Sequence, residues 1–169
     1  KIPKDVFAKL PKLKMIAAMS TGYDHIDLAA AKRKKIVVSN VPTYGENTVA
    51  EHAMALILAL SRRLFESVER VKKESVFDYH GLRGFDLKGK TVGVIGTGHI
   101  GLHLIKMLNG FDTRVIGYNP TQKPELAKEY NFTYVPFKKL LAESDIISLH
   151  VPLLLDTYHM INKKNIKQI

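Results

Sequence analysis

The hexapeptide Gly96-Thr97-Gly98-His99-Ile100-Gly101 has the residue types and the spacing of a loop that binds a dinucleotide. Gly96 permits a tight turn, Gly98 lets the backbone approach a pyrophosphate, and Gly101 lets a helix pack closely on the preceding strand. Free N–H groups at the start of that helix would then hold the anion. The alternative is merely a tight turn between strand and helix. The β-branched run Thr91–Ile95 before the loop and a helical pattern after it favour dinucleotide binding.

A second candidate, Asn119, follows the next predicted strand, which ends at Tyr118. A residue at this place usually binds the adenosine ribose and is usually Asp or Glu. An amide can still bond a ribose hydroxyl, but it lacks the charge that repels a 2′-phosphate. We therefore predict NAD as the cofactor, with NADP tolerated. The alternative is that Asn119 and Pro120 only initiate a turn, and the sequence leaves both interpretations open.

Histidine is the side chain that titrates near neutral pH, and the chain has seven. None has a partner in sequence that marks it as a general acid or base. His52 is predicted to be packed and hydrogen-bonded within a buried helix. None of these histidines is therefore assigned a catalytic role.

The elements that position these residues alternate between strand and helix. The predicted boundaries are strand 14–19, helix 27–34, strand 36–39, helix 48–73 with Asn47 as its N-cap, strand 91–95, helix 99–109, strand 114–118, helix 124–130, strand 133–135, helix 137–143 and strand 146–150. The apolar first half of the helix over 48–73 is expected to be buried on all sides. Alternation of this kind predicts an α/β fold with a doubly wound parallel sheet.

Composition excludes several classes of function. The 26 Lys and Arg residues exceed the 16 Asp and Glu residues, giving a net charge of +10, but they are scattered without the aromatic residues that stack bases. The run Lys32–Lys35 is interpreted as the solvated end of a helix, so no nucleic-acid partner is expected. The longest apolar stretch, Ala53–Leu60, is too short to span a membrane. The absence of cysteine and of a visible export signal fits the cytoplasm.

Several separated motifs resemble the D-isomer-specific 2-hydroxyacid dehydrogenases, and most of all their D-lactate dehydrogenase branch. In order along the chain they are Ser20–Asp27, Asn40–Tyr44, Val49–Ala53, the glycine loop, Ser148–Pro152 and His159–Asn162. The resemblance covers nearly the whole chain. It implies hydride transfer between NAD(H) and a small D-2-hydroxy acid or 2-oxo acid, with D-lactate and pyruvate expected.

The resemblance also implies roles for individual residues. Backbone N–H groups of Thr21 and Gly22 would bind the substrate carboxylate, beside the hydroxyl of Tyr44. The residues implied to contact the cofactor are Gly96, Gly98, His99, Ile100, Gly101, Asn119, Val151, Pro152 and Thr157, the last standing where relatives often carry Asn.

The implied architecture has two parts. Residues 1–41 would be the last βαβ part of a flavodoxin-like substrate domain. Residues 42–169 would be the interdomain helix and the N-terminal part of a Rossmann domain, with a homodimer formed through the interdomain helix region. The family's catalytic Arg, Glu and His are expected beyond Ile169, and the isolated chain is expected to be inactive. Two alternatives stay open, namely another D-2-hydroxy acid as substrate and a nucleotide-sensing regulator of the corepressor type.

Overall fold

The structure is a computed structural model that describes residues 2–169. Lys1, the first residue of the predicted substrate-domain segment, lies outside the described residues. The chain divides into two compact units, one formed by residues up to Gly45 together with Pro152–Leu155, the other by Glu46–Val151 with Asp156–Ile169. Which domain of a larger protein each unit represents stays a prediction.

The first unit is a small βαβ motif preceded by a short helix. Its elements are α1 (Lys4–Lys9), β1 (Met15–Ala17), α2 (Leu28–Arg33) and β2 (Val37–Ser39). The two strands are parallel, and Ile16 pairs with Val38. The sequence predicted each of these elements except α1. Phe7 on α1 is fully buried and belongs to an apolar cluster with Ile26 and Ile36, so α1 covers the motif.

Helix α2 lies within the predicted range 27–34 and is one residue shorter at each end, because Asp27 and Lys34 are its caps. The carboxylate of Asp27 accepts a hydrogen bond from the Ala30 N–H at 2.8 Å, which caps the helix. The side chains of Lys32–Lys35 are exposed at the other end, and the Lys34 ammonium donates to the Phe7 carbonyl. The basic run therefore lies at the exposed end of a helix, as predicted, and the absence of a nucleic-acid partner stays a prediction.

The second unit contains most of the secondary structure. Its elements are α3 (Glu46–Ser61), α4 (Leu64–Glu74), β3 (Thr91–Ile95), α5 (His99–Asn109), β4 (Arg114–Tyr118), α6 (Pro124–Glu129), β5 (Thr133–Tyr134), α7 (Phe137–Glu143), β6 (Ile146–Leu149) and a 3₁₀ turn at Ile166–Gln168. The four strands form one parallel sheet in the order β5-β4-β3-β6. Strand β3 is buried along its whole length. The predicted parallel sheet with alternating helices is therefore confirmed.

The long helix predicted over residues 48–73 is wrong, because two helices occupy that stretch. Arg63 adopts the left-handed conformation, with φ 52°, between α3 and α4. Its guanidinium donates to the Gly81 carbonyl at 2.7 Å, and the Phe85 N–H donates to the Ser61 carbonyl at 2.9 Å. These bonds to distant residues hold the break.

Two further expectations about α3 are corrected. The helix already includes Glu46, so Asn47 lies inside its first turn, where its amide donates to the Glu51 carboxylate instead of capping the helix. The helix is not buried on all sides, since only its stripe at positions 50, 54, 57 and 61 is buried. His52 is exposed rather than packed. The apolar residues on its other sides misled the prediction.

Among residues 2–169, no helix combines the length and the apolar character needed to cross a bilayer.

Candidate functional site

The glycine loop begins with a turn that only glycine accommodates well. Gly96 has φ +95°, a conformation that side chains strongly disfavour, and its N–H donates to the Tyr118 carbonyl at 2.8 Å. A Cβ at this position would lie 2.7 Å from the His150 carbonyl oxygen. The loop is thereby fixed to the ends of both neighbouring strands, β4 and β6.

The other two glycines of the loop have opposite surroundings. A Cβ on Gly101 would lie 2.1 Å from the carbonyl oxygen of Gly96, so glycine is needed for α5 to pack against the loop. A Cβ on Gly98 would meet no heavy atom of the described chain within 4 Å, and Gly98 is exposed. Its φ of −78° and ψ of −170° suit any residue. The fold therefore does not require glycine at 98, whereas a pyrophosphate approaching the N-terminus of α5 does. The loop fits a dinucleotide.

His99 is the first residue of α5, and its imidazole lies beside a carboxylate on another helix. His99 Nδ1 is 3.6 Å from Glu46 Oε1, and Glu46 begins α3. The His99 side chain is 78% exposed and that of Glu46 only 20%. Glu46 Oε1 is buried and accepts no hydrogen bond from the described residues. Helices α3 and α5 share one apolar cluster, which includes Met54 and Leu102 and fixes this pairing.

Thr97 forms a hydrogen bond with a residue of strand β5. Its hydroxyl lies 2.9 Å from the Tyr134 hydroxyl, and Thr97 is only 6% exposed. The Tyr134 ring in turn meets the Phe132 ring edge-to-face. A partly buried hydroxyl pair of this kind restricts how the loop can move.

Asn119 forms a turn, which is one of the two interpretations that the sequence left open, while its contact with a ribose stays a prediction. Its side-chain amide N–H donates to the Thr121 carbonyl at 2.7 Å, so it does form a turn after β4. With the amide nitrogen used in this way, Oδ1 is the atom that can accept a hydrogen bond from a ribose hydroxyl.

The remaining residues implied to bind the cofactor differ in their placement. The Ile100 side chain packs against the core, so only its backbone N–H could serve the pyrophosphate. Val151 packs against an apolar cluster that includes Ile95 and Ile116. Thr157 is half-buried, and its carbonyl accepts from the Met160 N–H. Pro152 is exposed and belongs to the first unit.

The residues implied to bind the substrate lie in the first unit, on loops after β1 and β2. The Thr21 hydroxyl donates to the Val41 carbonyl at 3.1 Å, and the Asn40 amide donates to the Thr21 carbonyl at 2.9 Å. These bonds hold the two loops together. The binding of a carboxylate by the N–H groups of Thr21 and Gly22 does not involve this hydroxyl, and it stays a prediction. Tyr44 is exposed.

Two titratable groups at opposite ends of β6 have shifted pKa values. Burial lowers the pKa of the His150 imidazole, and His150 Nε2 lies 2.9 Å from the Ser148 hydroxyl. The pKa of the Asp145 carboxyl is lowered first by the Thr91 N–H, which donates to it at 2.8 Å, and then by Lys90. Asp145 thus ties the start of β6 to the start of β3. Within residues 2–169, no group of three or more His, Asp or Glu side chains could hold a metal ion.

Sequence reasoning missed two residues that act on the loop, Glu46 and Tyr134. Glu46 stands in a turn-rich segment far from the glycines in sequence, and Tyr134 resembles any aromatic residue of a strand. Neither carries a local signal, because the contacts that matter arise only when α3, α5 and β5 come together.

Comparison with known proteins identifies a family for this arrangement. The family described as "D-isomer specific 2-hydroxyacid dehydrogenase, NAD binding domain" matches residues 54–169, more than half of the chain. The glyoxylate reductase of Thermococcus litoralis is 44% identical over 99% of this chain and 52% of its own length. The D-lactate dehydrogenase of Escherichia coli is 39% identical over 93% of this chain and 47% of its own length.

A solved structure gives the same result. D-lactate dehydrogenase from Aquifex aeolicus, complexed with NAD and lactic acid, superposes with a TM-score of 0.91 and 40% sequence identity. The superposition covers 100% of this chain and 50% of that one. The chain therefore spans about half the length of the relatives it matches.

Proposed function

This chain belongs to the D-isomer-specific 2-hydroxyacid dehydrogenases, with NAD as the cofactor of the matching domain, and from this premise we propose that the complete protein reduces pyruvate to D-lactate. The observation that carries the proposal is the Aquifex structure, which holds NAD and lactic acid. The superposition on it includes every part of this chain. The motifs around Tyr44 and at Ser148–Pro152 support the same branch of the family.

The protein's own residues in this proposal bind and orient. NADH supplies the hydride when it is bound. Gly98 and the N-terminus of α5 hold the pyrophosphate, and Oδ1 of Asn119 accepts from the ribose. The N–H groups of Thr21 and Gly22 bind the carboxylate of the 2-oxo acid, and the Tyr44 hydroxyl adds a further donor.

Proton transfer is proposed to depend on residues outside this chain. The histidines within it offer no convincing general acid: His150 is held by Ser148, and burial lowers its pKa. A protonated donor is needed when the carbonyl oxygen becomes a hydroxyl. We assign that step, and the polarisation of the carbonyl by an arginine, to the part of the relatives' length that this chain does not cover.

Glyoxylate is the second candidate substrate, because the relative with 44% identity is a glyoxylate reductase. It differs from pyruvate by one methyl group, and a pocket discriminates such a difference by roughly 10- to 200-fold at most. The test measures kcat/KM of the complete protein with NADH and pyruvate, glyoxylate and 2-oxoisocaproate. A kcat/KM highest for pyruvate supports the proposal, and a higher value for glyoxylate replaces it. Absence of turnover with all three, despite NADH binding, would favour a regulatory protein.

A homodimer formed through the interdomain helix region is also proposed. Helix α4 has no buried residue, and Leu64, Phe65, Val68 and Val71 form an exposed apolar stripe along it. A stripe of this kind is typical of an interface. Two copies related by a twofold axis would cover it with the same stripe of the partner.

A further inference from the structure

The carboxylate of Glu46 lies beside His99 of the glycine loop, and its Oε1 receives no hydrogen bond from the described residues. Its Oε1 is buried, and a buried carboxylate oxygen that accepts no hydrogen bond is costly to keep. Its nearest cationic partner is His99 Nδ1 at 3.6 Å, too far for a hydrogen bond but within reach of an ion pair. At this distance an ion pair between Glu46 and His99 requires a protonated imidazole.

The chemistry of the imidazole connects this pair to the cofactor. When Nδ1 carries its hydrogen towards Glu46, neutral His99 keeps a lone pair on Nε2, which phosphate oxygens would repel. Protonation turns Nε2 into a donor and gives the ring a positive charge. The positive end of the α5 dipole disfavours a positive charge on His99. The Glu46 carboxylate and a bound pyrophosphate together would therefore stabilise the imidazolium better than Glu46 alone.

We propose that Glu46 acts through His99 to make NADH binding proton-linked, so that His99 takes up a proton from solvent when the pyrophosphate binds and its imidazolium counters both anions. Glu46 is a positioning residue in this scheme and does not touch the cofactor. The inference concerns the cofactor half of the site and does not depend on which 2-oxo acid is reduced.

Few other groups could account for such a pH dependence. The other titratable side chains on the elements packed with α5 are Glu51 and His52 on α3, His103 and Lys106 on α5 itself, and Arg114 and Tyr118 on β4. Of these, only His52 and His103 carry the same kind of side chain as His99. His103 lies one turn from His99 on the same helix and gives a matched control.

The experiment titrates the complete protein with NADH, and separately with ADP-ribose, between pH 6.0 and pH 8.5. ADP-ribose carries the pyrophosphate without the nicotinamide, so it isolates the proposed contact from the reaction centre. Affinity for both ligands should fall by about 5-fold as pH rises, the size of one exposed charged contact. Calorimetry in two buffers of different ionisation enthalpy should show uptake of a proton on binding.

The variants separate the residues. Glu46→Gln should move the fall in affinity to lower pH. His99→Gln should abolish the fall, and His99→Lys should bind tightly across the range because lysine stays charged. His103→Gln should match the wild type. A His99→Gln protein that keeps the pH dependence, or a Glu46→Gln profile that coincides with the wild type, would overturn the proposal. If Glu46→Gln does not fold, the two variants His99→Gln and His99→Lys still test the proposal. Loss of pyruvate turnover alone would leave the inference standing.

Discussion

At the scale of single residues, the glycines of the loop differ in what surrounds a missing Cβ. Gly98→Val should abolish measurable NADH binding, because the branched side chain occupies the open space that the pyrophosphate needs. The free energy of unfolding should fall by about 1 kcal/mol or less, the cost of a poorer N-cap residue. NADH fluorescence titration and urea unfolding of the same samples measure both effects.

Gly101→Ala provides the contrast. Its Cβ would lie 2.1 Å from the Gly96 carbonyl oxygen, and overpacking of this kind costs about 1–3 kcal/mol. We expect Gly101→Ala to lose stability as well as binding. An unchanged NADH affinity in Gly98→Val would mean that the loop is only a turn.

From the Asn119 side chain we predict the preference of the protein for NADH over NADPH. A neutral hydrogen bond contributes about 1 kcal/mol and a charged one about 1.5–3 kcal/mol, so the wild type should prefer NADH only weakly. Asn119→Asp should sharpen that preference by repelling the 2′-phosphate of NADPH, and less so at high salt. Part of the gain is offset, because Asp cannot donate to the Thr121 carbonyl as Asn119 does.

Catalytic efficiencies with NADH and NADPH, measured for the complete protein and this variant, provide the check. A strong preference for NADH that is already present with Asn119, and that Asp leaves unmoved, would show that another residue reads the ribose.

At the scale of elements, strand β5 supports the glycine loop through one pair of hydroxyls. Tyr134→Phe leaves the buried Thr97 hydroxyl without its partner, which should cost about 1–3 kcal/mol of unfolding free energy and weaken NADH binding. The double variant Thr97→Val/Tyr134→Phe removes both polar groups and should recover much of the stability. Urea unfolding of both variants tests this coupling, and equal losses that simply add would contradict it.

Strand β6 carries a pH-sensitive residue at its C-terminal end. Burial lowers the pKa of His150 in the folded state, so the unfolded chain binds more protons than the folded one as pH falls below about 6.5. His150 therefore contributes stability that is present above that pH and is lost as pH falls through the lower folded pKa. His150→Asn should show a smaller loss of stability than the wild type between pH 7.5 and pH 5.5.

Asp145→Asn is the control for this measurement. The pKa of Asp145 is lowered from 3.8, so its contribution disappears only in more acidic solution and the slope between pH 7.5 and pH 5.5 should stay as in the wild type. Identical slopes for His150→Asn and the wild type would exclude His150 as the source.

Local signals predicted the elements around the cofactor loop well. Thr91–Ile95 is β-branched and ends at glycine, and His99–Asn109 has helical spacing between glycines, so both have the predicted limits. The break at Arg63 was missed because no glycine or proline marks it, and it depends on a bond to Gly81, 18 residues away. The Glu46–His99 pair was missed for the same reason, since it forms between helices that only the folded chain brings together.

At the scale of the whole molecule, the apolar stripe of α4 predicts the oligomeric state of the complete protein. Val68→Glu places a charge in the centre of the stripe and should convert a dimer to monomers, because an unpaired charge is costly in an apolar interface. Lys73→Ala, on the opposite side of the same helix, should leave the dimer intact. Sedimentation velocity distinguishes these outcomes, and a wild-type protein that is monomeric at micromolar concentration would refute the proposed dimer.

The central position of β3 also has a kinetic consequence. Val92 pairs with Val115 on one side and with Ile146 on the other, and the second partner lies more than twice as far along the chain. Closing the longer loop costs more entropy, so we expect β3 and β4 to associate first and β6 to join later. Until it does, the apolar edge of β3 is open to pairing with another chain. Slower synthesis at low temperature should therefore raise the yield of native protein. We expect aggregation to occur mainly in the interval before β6 pairs with β3.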